Sequence, residues 1–264
     1  MLRKSKVLSK LRAGSFARIC ATGHFLPFFV RYAAHYGYDG IWFDLEHRAM
    51  DAREVQSFIA LCRLHDIDCM VRPATRERTL LYRYLEDGAA GFMFPFVSTA
   101  AEARRLVDYI KFPPMGDRGL DGAGLDGDYG IEVWKPGSDY IEHANNETFI
   151  LAQIETPEAV RNVDEIAAVP GIDILFVGTA DLGLRLAHLK ESERYTLDEG
   201  IARVAAACKK HGKAWGLPTG TPEATIRYRD MGAKFIVRGG DFALAEVLRQ
   251  NGKELDELQN RPKP

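Results

Sequence analysis

Short runs of aliphatic, β-branched or aromatic residues recur about eight times along this chain, and longer stretches of helical spacing separate them. The runs are Phe16–Ala21, Gly40–Leu45, Cys69–Pro73, Gly91–Phe96, Phe149–Ile154, Asp173–Gly178, Ala214–Pro218 and Lys234–Val237. Between them, Asp51–His65 sets Val55, Phe58, Ile59 and Leu61 on one face, and Thr99–Ile110 does the same with Ala103, Leu106, Val107 and Ile110. Asp51 followed by Glu54, Thr156-Pro157-Glu158 and Thr221-Pro222-Glu223 read as helix starts, a cap residue standing before a proline or acid in the first turn. Strict strand-helix alternation of this number predicts an α/β fold, a (β/α)₈ barrel, with an open doubly wound sheet as the alternative.

Length agrees with one barrel spanning residues 1–264, because barrels of roughly 200–250 residues are single domains. One stretch, Pro113 to Asn146, breaks the rhythm with Gly116, Gly119, Gly122, Gly124, Gly127 and Gly130. It is expected to be an active-site excursion carrying a short helix near Tyr140–Ala144, since long glycine-rich segments in compact folds tend to be functional.

The 35 Lys+Arg and 37 Asp+Glu leave a net charge of −2, without the basic footprint of a nucleic-acid partner. No window approaches the roughly 18 apolar residues of a membrane span. Cys20, Cys62, Cys69 and Cys208 are scattered in apolar stretches with no metal-ligand spacing, which fits a cytoplasmic protein. The basic MLRKSKVLSKLR reads as a first helix rather than a transit peptide.

Strand parity locates the polar residues. Ile41, Phe43 and Leu45 share the parity that packs on helices, leaving Trp42, Asp44 and Glu46 for the barrel interior. In the fifth run Ile150, Ala152 and Ile154 face outward, and Gln153 and Glu155 inward. Arg72 closes the third run and Asp181 follows the sixth, so acids, an Arg and His47 gather at the C-terminal strand ends. That face carries the active site in barrels of this kind, whereas Lys213 and Lys234 at the other end serve stability.

Glu155 and Asp181 offer hard carboxylate oxygens without thiolate or His partners, a donor set suited to Mg²⁺ or Mn²⁺, with Co²⁺ the next candidate. Such a cation could hold a 2-oxo acid while a C–C bond breaks. Arg72 is the natural carboxylate or oxyanion partner, and His47 the candidate base. No Lys closes a strand, so a Schiff-base aldolase is disfavoured, and no nucleotide-cofactor motif is visible. Blander roles compete: Arg72 could be a structural ion pair with Asp44 or Glu46, Asp181 could cap a helix starting at Leu182, and Glu155 could favour a helix N-terminus.

The segments GYDGIWFDLEH (Gly37–His47), VRP (Val71–Pro73), PPMGDRG (Pro113–Gly119), QIETPEA (Gln153–Ala159) and FVGTADL (Phe176–Leu182) resemble, in order and spacing, the HpcH/HpaI aldolase family. The resemblance implies a barrel of the phosphoenolpyruvate/pyruvate type and retro-aldol cleavage of a 4-hydroxy-2-oxo acid to pyruvate and an aldehyde. It also implies a homohexamer, a trimer of dimers that exchange their last helix. By the same resemblance His47 would be the base, Arg72 would stabilise the enolate, and Glu155 and Asp181 would bind the metal. Gln153 and the backbone near Ala180 would hold the pyruvyl part, and Glu86, or its neighbour Asp87, would raise the basicity of His47.

This chain departs from the family at Gly178-Thr179-Ala180-Asp181-Leu182-Gly183, which lacks the usual Pro, and in the acidic segment after Arg118. Arg238 stands where members usually have an apolar residue, and is expected to snorkel at the rim or reach a second substrate carboxylate. A citrate-lyase-like or decarboxylating lyase using the same enolate, or a non-catalytic metabolite-binding barrel, remain the competing functions.

Overall fold

A computed structural model describes residues 2–260, so the two ends of the expected 1–264 span lie outside the described residues. The strands are β1 (Ala17–Thr22), β2 (Gly40–Asp44), β3 (Asp68–Arg72), β4 (Gly91–Phe94), β5 (Phe149–Ile154), β6 (Ile174–Val177), β7 (Ala214–Pro218) and β8 (Phe235–Gly240). All pair in parallel in sequence order, and β8 returns to β1 through Ala17↔Phe235 and Ile19↔Val237, closing the barrel and excluding the open sheet. The expected runs match these strands to within a few residues; β8 runs past Val237 because Gly240 still pairs with Ala21 beyond a register shift.

The helices are α1 (Lys6–Arg12), α2 (Pro27–His35), α3 (Ala52–Leu64), α4 (Arg78–Glu86), α5 (Ala100–Ile110) and α6 (Tyr140–Glu147). They continue with α7 (Pro157–Arg161), α8 (Val163–Ala167), α9 (Thr179–Ala187), α10 (Leu197–His211), α11 (Pro222–Asp230) and α12 (Ala243–Gln259). Asp51 caps α3 in a complete capping box with Glu54, and Thr156 and Thr221 cap α7 and α11 ahead of their prolines.

Two apolar layers hold the barrel, divided by strand parity. Inside it Ile19, Met70, Met93, Phe149, Leu151, Ile174, Phe176 and Phe235 pack together, and Val7 and Leu8 of α1 close the N-terminal end like a stopper. Outside, Ile41, Phe43, Ile150, Ala152 and Ile154 pack on the helices, Phe43 stacking on Phe58 of α3 at 4.1 Å. Burying each such side chain contributes about 1.5–3 kcal/mol, so a one-residue slip that reversed parity would lose both layers.

The glycine-rich segment, Pro113 to Asn146, lies at one end of the barrel. It follows α5, which carries the chain from the C-terminal to the N-terminal end of the barrel, so within its own chain it covers the end opposite the strand mouths. Leu125 sits against Gly88 in the α4–β4 turn. Buried Lys111 donates to the carbonyls of Asn145 (2.6 Å) and Thr148 just before β5, and Lys213 likewise donates to Ile172 O at 2.7 Å. The short helix near Tyr140 is present as α6.

Arg238 is exposed near the end of β8, where the pairing with β1 shifts register, and its charge acts on Tyr38 and on Glu223 in the first turn of α11. α12 has no buried residue, and Phe242, Leu244, Val247, Leu248, Leu255 and Leu258 are all exposed.

Candidate active site

Glu155 stands one residue beyond β5, 1% exposed, on the interior parity. Its Oε1 accepts the Phe96 backbone N–H at 2.7 Å and its Oε2 accepts from Gln153 Nε2 at 2.5 Å. Phe96 reaches it from a left-handed conformation (φ +53°), a costly backbone for a bulky residue of the kind found at functional sites. Gly178, after β6, makes room: a Cβ there would lie 2.4 Å from Glu155 Oε2. Burial chiefly, then the nearby charges of Asp181 and Glu46, push the Glu155 carboxyl up to about 7 against the pull of the Phe96 N–H and Arg72.

Arg72, at the end of β3, is buried and donates from Nε (2.9 Å) and Nη2 (2.7 Å) to the two oxygens of Asp44. Register explains the fork, because Asp44 and Arg72 are paired positions of β2 and β3 and both point inward. Glu46 Oε2 lies 3.1 Å from Arg72 Nε, and the guanidinium stacks 4.5 Å from the Trp42 ring. Burial works against ionisation of Asp44, but the Arg72 hydrogen bonds and charge outweigh it and hold the carboxyl below its usual range. The ion-pair reading of Arg72 is thus realised with both acids, and it fixes the guanidinium in one plane at the mouth.

His47 is more loosely held, its Nε2 3.6 Å from Glu46 Oε2 and its side chain 57% exposed. Asp181 lies in the first turn of α9, whose N-cap is Gly178, so it does not cap a helix starting at Leu182. Its Oδ1 pairs with Arg185 one turn on at 2.5 Å, and Arg185 in turn covers the Phe96 ring at 4.9 Å. Ala180 is exposed in the same first turn, where backbone N–H groups lack intrahelical acceptors. Arg72, Glu46 and Asp181 all act electrostatically on Glu155, and His47 on Asp44, so the structure gathers these residues at one mouth.

Glu86 is not among them in its own chain. It ends α4 toward the N-terminal end of the barrel, and the charges acting on it are Arg118, Asp126, Asp121 and Asp87; Asp87 accepts from Gln56 at 2.7 Å. Helix direction separates both acids from His47, a point that residue spacing alone did not convey.

A second cluster went unread in the sequence. Asp241, just after β8, accepts from Thr22 Oγ1 (3.1 Å) and the Gly23 N–H (3.0 Å), and its Oδ2 lies 2.6 Å from His24 Nδ1. Ending β8 at Val237 hid it, since Asp241 then appeared four residues past the strand. Phe96 and Arg185 carried no sequence signal, as their roles come from a loop conformation and a helix turn.

Among the described residues no group of three or more His, Cys, Asp or Glu side chains is arranged to hold a metal. Glu155 and Asp181 do fit a hard divalent cation that keeps most positions for water and substrate oxygens. Gln153 Oε1 is buried beside them without a hydrogen-bond partner, a further oxygen donor on that side; the buried Trp42 Nε1 is likewise unpartnered.

Comparison with known proteins bears on this mouth. The family model described as HpcH/HpaI aldolase/citrate lyase matches residues 24–246. The chain belongs to that family. It is a family of carbon–carbon lyases, and its members here include a hydroxypyruvate/pyruvate aldolase of Paraburkholderia phytofirmans, 34% identical over 86% of this chain and 87% of the relative. A 2-dehydro-3,6-dideoxy-6-sulfogluconate aldolase of Pseudomonas putida is 32% identical over 86% of this chain and 87% of its own length. The crystal structure of an HpcH/HpaI aldolase from Desulfitobacterium hafniense superposes with a TM-score of 0.84 at 29% identity, covering 98% of this chain and 99% of that one. No helix of the described residues is long and apolar enough to cross a membrane.

Proposed function

We propose that the protein is a divalent-metal-dependent aldolase that cleaves a small 4-hydroxy-2-oxo acid to pyruvate and an aldehyde. The observation that carries the reading is the meeting of buried Glu155 with the Asp44–Arg72 fork at one barrel mouth. Glu155 and Asp181 would hold Mg²⁺ or Mn²⁺, which when bound supplies a Lewis acid beside the 2-oxo group. Arg72, locked by Asp44 and stacked on Trp42, faces the oxygen that gains negative charge as the C3–C4 bond breaks. Gln153 and the free N–H groups near Ala180 hold the pyruvyl carboxylate. His47, exposed at the rim, takes the C4 hydroxyl proton as the aldehyde leaves, directly or through water.

The exposed apolar residues of α12 support a homohexamer in which dimers exchange this helix, and four buried free cysteines support a cytoplasmic enzyme. The test is pyruvate release from 4-hydroxy-2-oxo acids with Mg²⁺ or Mn²⁺: Glu155→Ala abolishes it, and activity undiminished by a chelator refutes the metal role. The family model also spans citrate lyases, so metal-dependent enolisation of pyruvate without aldol cleavage favours another electrophile for the same enolate.

A further inference from the structure

The barrel end opposite the mouth holds a small cavity of about 50 Å³ between the N-terminal arm, the last turn of α3 and the glycine-rich segment. Arg3, Arg63 and Arg118 line it, together with Asp126, Glu147 and His143. Three guanidiniums from three separate segments therefore meet around one space.

Its carboxylates are already committed. Asp126 accepts Arg118 Nη2 at 2.8 Å and the Tyr140 hydroxyl at 2.6 Å, and Glu147 accepts the Ser5 N–H at 2.8 Å and Arg12 at 2.6 Å. Donors are nevertheless left over. The Arg118 side chain is 3% exposed and its Nε has no partner. Arg3 gives Nε to Asp66 (3.1 Å) and Nη1 to Asp68 (2.5 Å), but its buried Nη2 is also unpartnered. Each buried orphan donor costs about 1–3 kcal/mol, so two on side chains that line one cavity mark a missing acceptor. Arg63 forms no ion pair among the described residues; burial, followed by the charge of Arg3, lowers its pKa against the counter-pull of Asp126 and Asp128. Water would satisfy the orphans, whereas an anion satisfies them and also gives Arg63 the counter-charge it lacks.

We propose that this cavity binds one small tetrahedral oxyanion, phosphate or sulfate, bridged by Arg3, Arg63 and Arg118. The volume exceeds the roughly 10–15 Å³ that a single water requires and leaves room for such an ion. The bound ion ties the N-terminal arm to the glycine-rich segment, and it does so independently of the chemistry at the mouth.

The test is thermal unfolding and calorimetric titration of the full-length protein, free of divalent metal, in 10 mM phosphate or sulfate against KCl of equal ionic strength. Wild type gains roughly 3–6 °C in either oxyanion, or in phosphate alone if the site selects it. Arg63→Gln keeps the wild-type midpoint in chloride and loses most of the gain, and Arg118→Lys loses titratable binding whatever its own midpoint. Arg72→Gln keeps the gain, which places the ion away from the mouth. The proposal fails if neither oxyanion shifts the midpoint beyond chloride, if the shift survives both Arg63→Gln and Arg118→Lys, or if Arg72→Gln removes it.

Discussion

Phe96 donates its backbone N–H to Glu155 Oε1 at 2.7 Å from a left-handed conformation, so the loop after β4 fixes the acid just beyond β5. Gly178 secures the other oxygen from β6 by offering no Cβ. Gly178→Ala puts a methyl 2.4 Å from Glu155 Oε2 and 3.0 Å from Gln153 Nε2, with neither able to yield without losing a hydrogen bond. The variant is expected to fold, with circular dichroism like wild type, and to lose about 10–100-fold in metal affinity by titration, as when the groups that orient a ligand are disturbed. Unchanged affinity would show that Glu155 is not held by this contact.

The Glu155 carboxyl, raised to about 7 from an ordinary 4.5, gives a pH signature with a definite sign. Between those values the folded protein keeps a proton that the unfolded chain has lost. Stability from this group therefore falls as pH rises from 4.5 to about 7 and is flat above. Metal needs the ionised form, so affinity weakens by up to tenfold per unit as pH falls below about 7. Denaturant unfolding of the metal-free protein at a series of pH values should lose that slope in Glu155→Gln; an identical slope in the variant contradicts the assignment. Asp44 and Asp241 run the other way: both carboxyls are lowered, so their contribution is present above the ordinary Asp value and is lost as pH falls through the lowered ones.

Much of this site was legible as strand parity. Once β2 and β5 were read with period two, Asp44, Glu46, Gln153 and Glu155 had to point inward, and the interior packing of Trp42 and Leu151 agrees. Direction along the barrel axis was the harder property. Glu86 ends a helix and the glycine-rich segment follows one, and both helices return the chain to the N-terminal end, so proximity in sequence to β3 and β4 does not become proximity to this chain's own mouth. The His24–Asp241 pair was hidden because β8 continues three residues beyond Val237, to Gly240.

Arg72 is expected to be irreplaceable by lysine. A lysine keeps the charge but cannot donate in a fork to Asp44 or stack flat on Trp42. Arg72→Lys should lower kcat about 10²–10³-fold with little change in thermal midpoint, the scale seen when one oxyanion-stabilising donor is lost. Trp42→Phe retains a stacking face and should stay within about threefold of wild type, while Trp42→Leu, losing a cation–π contact of about 1–2 kcal/mol, falls roughly tenfold. Steady-state kinetics on all three decides whether the fork and the stack or the charge alone matters.

Lys111 supplies a stability prediction remote from the chemistry. Its buried ammonium holds the carbonyls of Asn145 and Thr148 where the chain enters β5. Lys111→Met leaves both unsatisfied and should cost about 2–4 kcal/mol by urea unfolding, with wild-type kcat in the folded fraction. A loss below 0.5 kcal/mol would mean that water replaces the ammonium freely.

The central claim is that Glu155 and Arg72 at one mouth make pyruvate enolisable when a divalent cation is bound. Solvent deuterium uptake into the pyruvate methyl group, followed by NMR, tests this without knowledge of the aldehyde. Wild-type protein with Mg²⁺ or Mn²⁺ is predicted to exchange the methyl protons, and chelator, Glu155→Gln or Arg72→Lys to suppress exchange by at least about 10²-fold. Absence of exchange in metal-loaded wild type, or exchange that persists in chelator and in Glu155→Gln, would contradict the account.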